Sequence, residues 1–330
     1  MIELHIHLEG SIRPQTLLEL ALEQGAYLPT YDVKALEHYM RVPNQCEDLS
    51  EYLKRFDLAF TVLQEKKAIR RAMYELVTDL DRQGILYAEI RMTPQYHTLR
   101  GLSQSQVVEA ALSGMRRAVE EGRRIRANLI LCTVRGADEK DNFATIVETI
   151  QHLRRGVAGM DLVGDEVKYP TEMYVEQFKL LKQEGIPFCV HAGEKTGPYS
   201  IRLAIKNGAL RIGHGLHAID DPDLVELIRE RHIALEICPI SNLQTGVVKD
   251  MASHPIKRYY DAGVRVVVGT DDMIVCNTTL PKEYRLLAQT FGWTKDDFRK
   301  MNEYAIDAAF LPSMEKERLR YLLEETYNNG

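Results

Sequence analysis

Short runs of aliphatic and β-branched residues recur along the chain, at 2–7, 86–91, 127–134, 157–164, 187–191, 211–214, 234–238 and 264–270. Several are apolar at successive positions, as in Asn128-Leu129-Ile130-Leu131-Cys132 and Val264-Arg265-Val266-Val267-Val268. That pattern suits parallel strands covered on both faces. The segments between them carry helical spacing. Tyr174, Phe178, Leu180 and Leu181 lead up to Gly185, and Leu224, Leu227 and Ile228 follow the turn Asp220-Asp221-Pro222. Eight strands alternating with helices predict an α/β fold, a closed (β/α)8 TIM barrel in preference to an open doubly wound sheet. The first strand is not followed by G-x-G-x-x-G, which weakens a dinucleotide-binding reading.

Two regions depart from the repeat. The connection between the first two strands, about 9–85, is far longer than a simple crossover and predicts a helical insertion after strand 1. Within it Leu49, Tyr52, Leu53, Phe56 and Phe60 sit at helical spacing. Such a stripe reads first as core packing, and is equally compatible with a cap over the barrel mouth. Past Leu280 the chain reads as helical throughout, giving extra C-terminal helices. No Gly/Ser/Pro-rich linker divides residues 1–330, so a single domain is expected, with 9–85 as its cap.

Composition narrows the function classes. The 42 Lys and Arg against 48 Asp and Glu give a net charge of −6 without a basic block, which argues against binding nucleic acid through its phosphates. A spanning helix needs about 20 consecutive apolar residues, and the chain has no such stretch, so no membrane association is expected. The N-terminus lacks the basic start and apolar core of a signal peptide, so a cytoplasmic location is expected. Five cysteines, at 46, 132, 189, 238 and 276, include no C-x-x-C pair, which disfavours a disulfide framework and a cysteine-based zinc site.

The candidate chemistry lies at the strand ends. His5 and His7 close the first strand, His191 the fifth, His214 the sixth, and Asp271 and Asp272 follow the eighth. In a parallel barrel all these ends meet at one face. Residues i and i+2 of a strand share a face, so His5 and His7 can hold one cation. Taken alone, H-x-H on a strand is a weak signal, and His191 with an acid from the eighth strand end strengthens it. His191-Ala192-Gly193-Glu194 adds a carboxyl suited to proton transfer, although a Glu before a helix is by itself ordinary. His214 between two glycines is a ligand, a base, an electrostatic partner for hydroxide, or a histidine bonding a backbone carbonyl. Adjacent Asp271 and Asp272 repel unless a cation or hydrogen bonds hold them. Three imidazoles and a carboxylate suit zinc, which lowers the pKa of a bound water to about 7.

His5-Ile6-His7-Leu8-Glu9-Gly10-Ser11, His191-Ala192-Gly193-Glu194, Gly213-His214-Gly215, Ser241-Asn242 and Thr270-Asp271-Asp272 together resemble the ordered motif series of the adenosine/AMP deaminase family, across nearly the whole chain. The resemblance implies a zinc-dependent barrel that hydrolyses the 6-amino group of an adenine ring. It further implies that His5, His7, His191 and Asp271 hold one zinc per chain. Glu194 would protonate ring N1, and His214 would orient and help deprotonate the attacking water. Asp272 would bond that oxygen or ring N7, the Gly164 backbone would face ring N3, and His7 and Glu9 would also touch substrate.

Two positions depart from the family pattern. Glu9 stands where nucleoside-specific members often carry Asp, which bears on the sugar end, and Met273 stands where Pro is usual. The segment 241–246 is most like bacterial adenosine deaminases, so adenosine, and with it 2′-deoxyadenosine, leads as the expected small-molecule 6-aminopurine nucleoside. Adenine, N6-methyl-AMP and other 6-aminopurines are the alternatives. A phosphate-bearing substrate would want a basic cluster, for which Arg100, Lys195 and Arg202 are only scattered candidates. A different mononuclear amidohydrolase and an inactivated binding protein rank lower. Strand four ends in Gly164-Asp165-Glu166 without the lysine that usually bridges two metals in binuclear amidohydrolases, so one metal is expected, and the binding-protein reading is disfavoured because every expected ligand and the acid are present.

Overall fold

A computed structural model describes residues 1–43, 46 and 49–328. Its strands are β1 (Ile2–His7), β2 (Tyr87–Met92), β3 (Arg126–Val134), β4 (Val157–Val163), β5 (Phe188–Ala192), β6 (Arg211–His214), β7 (Ala234–Ile237) and β8 (Arg265–Val268). Every neighbouring pair is parallel, and the spatial order is the chain order. Beyond β8 the chain returns to β1. His7 N–H donates to the Asp271 carbonyl and Asp271 N–H to the His5 carbonyl, each at 2.8 Å. These two bonds close the barrel and draw the first and last candidate motifs together.

The predicted runs match these strands to within a residue or two, because strands buried on both faces leave a continuous apolar signal. The long connection after β1 forms a 3-10 turn (Glu9–Ser11) and helices Pro14–Gln24, Val33–Met40, Leu49–Leu53, Asp57–Val62 and Lys66–Arg82. The last of these packs against helix Gln104–Glu120 as part of the outer wall. The aromatic stripe serves both as packing and as cap, Tyr52 lying buried in an apolar cluster with Val42, Val275 and Cys276 against which Phe56 packs. Tyr52, Leu53, Phe56 and Phe60 all line the cavity at the barrel mouth, while the side chain of Leu49 lies outside the described residues.

The C-terminal region is not one continuous helical run. It forms Leu280–Phe291, Lys295–Ala308 and Ser313–Asn328. Gly292, at φ 69°, ends the first in the left-handed conformation that glycine adopts at least cost. Thr294 and Asp297 then restart the chain with a reciprocal capping box. Helix Lys295–Ala308 packs on β1, β7 and β8, and its Asn302 Oδ1 accepts a 2.7 Å bond from Ile2 N–H. Among the described residues no helix is long and apolar enough to cross a membrane.

Candidate active site

The C-terminal strand ends surround a cavity of about 580 Å³. His7, Glu9, Gly164, His191, Glu194, His214, Asp271 and Asp272 all line it, and His5 lies buried beneath. Every residue named from the sequence as a candidate for catalysis, substrate contact or metal binding is therefore at this one place. Arg100, Lys195 and Arg202 are not among its lining residues. Arg100 pairs with Glu65 at 3.7 Å and Arg202 with Asp221.

His5, His7, His191 and Asp271 each offer a ligand atom within 4.8 Å of the others. His5 Nε2 and His7 Nε2 lie 3.3 and 3.4 Å from Asp271 Oδ1. His5 Nε2 is buried and has no hydrogen-bond partner, as expected of an atom meant for a cation. Burial lowers the pKa of His7 to about 3 and of His191 to about 4, so both present neutral imidazoles, the form that binds metal. Burial and Arg91 oppose a charge on His5, but the neighbouring Asp271 and Glu236 outweigh them and raise its pKa. That negative field favours any cation placed there. The residues thus fit a divalent metal. A second group, His214, Cys238 and Asp271, lies within the same reach and shares Asp271. The cysteine spacing gave no sign of it, since Cys238 comes from the end of β7.

The backbone is strained where these side chains are aimed. His214 and Asp271 have φ of 63° and 59°, in the left-handed region that side chains other than glycine rarely adopt. Such outliers concentrate at functional sites. Space at Gly213 is tight: a Cβ there would sit 3.0 Å from His191 Nδ1 and 3.2 Å from His5 Cε1 and would press on both rings.

The ligands are oriented from below. His5 Nδ1 lies 3.0 Å from Glu236 Oε2, and His191 Nδ1 lies 3.0 Å from Asp161 Oδ2. Arg91 joins the two carboxylates, with Nε 2.7 Å from Asp161 and a terminal nitrogen on Glu236. Such supporting partners fix ring orientation and raise ligand basicity. Ser241 Oγ donates to Asp271 Oδ2 at 2.7 Å.

Glu194 lies with Oε2 3.9 Å from His214 Nε2. Burial raises its pKa, against the opposing effect of His214. The loop carrying it is clamped by Glu166, which accepts bonds from Gly193 N–H, Lys195 N–H and Thr196 Oγ at 2.7–2.9 Å. Asp272 is pushed well above the usual carboxylate range by burial and by Asp271 beside it. Glu9 Oε1 accepts from Thr93 N–H and Thr93 Oγ, both at 2.7 Å, and lies 3.0 Å from His97 Nε2.

Sequence reasoning missed the supporting residues Asp161, Glu236, Arg91 and Glu166, and the cap residue Tyr52 as a partner of Asp272. A charged residue inside an apolar strand run, as Glu236 is in 234–238, is the one signal that could have found some of them.

Comparison with known proteins agrees with this geometry. The adenosine deaminase family model matches residues 1–326. Curated relatives named adenosine deaminase include one from Haemophilus ducreyi, 39% identical, with 99% of this chain and 96% of the relative aligned. Another, from Enterococcus faecalis, is 37% identical with the same coverage. Among solved structures, the adenine deaminase of Arthrobacter aurescens superposes with a TM-score of 0.91 at 24% identity, covering 99% of this chain and 98% of its own. An amidohydrolase from Burkholderia ambifaria with bound Zn has a TM-score of 0.90 at 23% identity, covering 99% and 90%. The last two, at that identity, speak to the fold alone. Matched along almost its whole length by the family model and by these curated relatives, the chain belongs to the adenosine deaminase family of metal-dependent hydrolytic deaminases.

Proposed function

We propose that this chain hydrolyses adenosine, and 2′-deoxyadenosine with it, to the 6-oxopurine nucleoside and ammonia, using one zinc per chain. The observation that carries the reading is the meeting of three imidazoles, Asp271 and the buried acid Glu194 in a single cavity. His5, His7, His191 and Asp271 would hold the metal, which when bound acidifies a water to a pKa of about 7. Glu194, whose pKa burial raises, donates a proton to ring N1 and makes C6 electrophilic. His214 faces the attacking oxygen. Asp272, whose raised pKa lets it carry a proton, bonds that oxygen or ring N7. The backbone at Gly164 meets ring N3, and His7 and Glu9 complete the contacts.

The lining of the cavity offers few basic side chains to a nucleotide's phosphate. Six lining residues are acidic (Glu9, Asp57, Asp165, Glu194, Asp271 and Asp272) and only Arg135 and Lys168 are basic. Arg135 is already committed to the Tyr169 and His191 carbonyls. A phosphate would find no cluster of uncommitted basic side chains among these lining residues. The purified chain, loaded with zinc, is to be assayed for ammonia release and for the ultraviolet change from 6-amino- to 6-oxopurine. Adenosine, adenine, AMP and N6-methyl-AMP form the panel. Turnover of adenosine that a chelator abolishes is the expected result. Turnover of a nucleotide alone would overturn the substrate assignment, and silence across the panel with metal bound would overturn the activity. We assign the chain to the cytoplasm, in keeping with the buried thiols of Cys132, Cys189, Cys238 and Cys276.

A further inference from the structure

A run of buried hydrogen bonds behind His214 has a direction that one fixed donor sets. Ile256 N–H can only donate, and it points to His254 Nδ1 at 3.1 Å. His254 Nδ1 therefore carries a lone pair, and the proton of this ring is on Nε2. That nitrogen lies 3.3 Å from the side-chain amide of Asn242, which must present its oxygen to it. The amide nitrogen of Asn242 is then turned to His214 Nδ1, 3.1 Å away. An NH₂ group has only protons to offer, so His214 Nδ1 accepts. His214, Asn242 and His254 are all buried, which leaves water little access to reverse the order. Burial also lowers the pKa of His254 to about 3, consistent with a neutral ring.

We propose that His254 and Asn242 are positioning residues that lock His214 as the neutral tautomer bearing its proton on Nε2, so that it meets the reaction as a hydrogen-bond donor. The lone pair of the ring is already used by Asn242. His214 is consequently unable to take a proton from water in this state, and it instead orients and stabilises the attacking oxygen through Nε2–H. This differs from the proton-accepting role that the family resemblance implies for it. The short motif Ser241-Asn242 acquires a double purpose: Ser241 holds Asp271, and Asn242 sets the proton position on His214. The catalytic consequence rests on the deaminase reading above, but the tautomer does not.

The test separates the two. In zinc-loaded protein with ¹⁵N-labelled histidine, long-range ¹H–¹⁵N spectra distinguish protonated from lone-pair ring nitrogens, and His214→Gln identifies the signals. The expected result is a lone pair on Nδ1 and a proton on Nε2 of His214. A proton on Nδ1 would overturn the proposal, whether or not the enzyme turns over adenosine. Asn242→Asp replaces the donor by an acceptor and should move the proton to Nδ1. With metal content unchanged, it should lower kcat about 100-fold or more while KM stays within about threefold, as expected for a histidine in the wrong tautomer. His254→Gln, which keeps a donor for Asn242, should retain most activity, and His254→Leu should lose it. An Asn242→Asp enzyme with wild-type tautomer and kcat would equally sink the idea.

Discussion

Glu194 owes its use to where it is buried. In water a glutamate is ionised at neutral pH and has no proton to give. Burial raises its pKa, partly opposed by His214 and assisted by the charge of Asp271. The acid form therefore persists to higher pH than that of a free glutamate, and activity that needs it falls as pH rises through the raised pKa. Glu194→Gln keeps the size and removes the proton donor. We expect kcat to fall by about 10²- to 10⁴-fold with zinc stoichiometry unchanged by elemental analysis, and the alkaline limb of the kcat/KM profile to disappear. Near-normal turnover would take Glu194 out of the mechanism. The neutral imidazoles His7 and His191, with pKa near 3 and 4, bear on the acid side. Their depressed values mean that the folded chain resists protonation where the unfolded chain accepts it. Stability of the metal-free protein is therefore lost as pH falls below the ordinary histidine value of about 6.5.

At the scale of elements, the cap reaches the chemistry through one hydroxyl. Tyr52, in helix Leu49–Leu53, donates a 2.6 Å hydrogen bond to Asp272 Oδ2 and lies 3.1 Å from Cys276 Sγ. The other carboxylate oxygen, Oδ1, is buried without a hydrogen-bond partner and packs so closely on Gly10 that a Cβ there would fall 1.7 Å from it. Asp272 is thus pinned between the turn after β1 and the cap. Tyr52→Phe keeps the ring and deletes only the bond. A hydrogen bond between neutral groups contributes about 0.5–1.5 kcal/mol, so we expect kcat to fall roughly two- to tenfold, with KM and metal content little changed; a loss confined to KM would assign Tyr52 to binding alone. This contact also marks where the sequence stops being legible. The helical spacing of Tyr52, Phe56 and Phe60 announces a buried face, but helical period does not say whether that face meets core or cavity. The eight strands and the histidines at their ends were legible because both follow from local period and from the rule that parallel strand ends converge. Pairs such as Tyr52 and Asp272, 220 positions apart, depend on where the cap settles.

Across the whole molecule, the metal cluster stands on a layer of charge inside the barrel. Arg91 of β2 joins Asp161 of β4 to Glu236 of β7, and Arg211 of β6 joins Glu236 to Glu89 of β2, its distances being 2.6 Å to each. All five side chains are fully buried. Burial opposes ionisation of Asp161 and Glu236, yet the adjoining Arg91, with His191 for the first and Arg211 for the second, holds both far below the usual carboxylate range. Along each strand these residues read only as polar interruptions of an apolar run; their pairing across strands 70 and 145 positions apart has no local signature. A buried ion pair is weak evidence for stability in itself, because desolvation offsets much of the attraction. Its use here is to fix the rings of His5 and His191, which Glu236 and Asp161 touch from below. The two roles can be separated with Arg91→Met, which retains bulk, leaves Asp161 without its arginine and leaves Glu236 with Arg211 as its only arginine. Breaking such a network costs about 3–5 kcal/mol, measurable as a lower denaturation midpoint of the metal-free protein. Loss of ring orientation should add a 10- to 100-fold weaker zinc affinity, measured by competition with a chelator at a temperature where both proteins are folded. A variant that is destabilised but binds zinc as tightly as the parent would show that the charged layer supports the barrel and not the metal site.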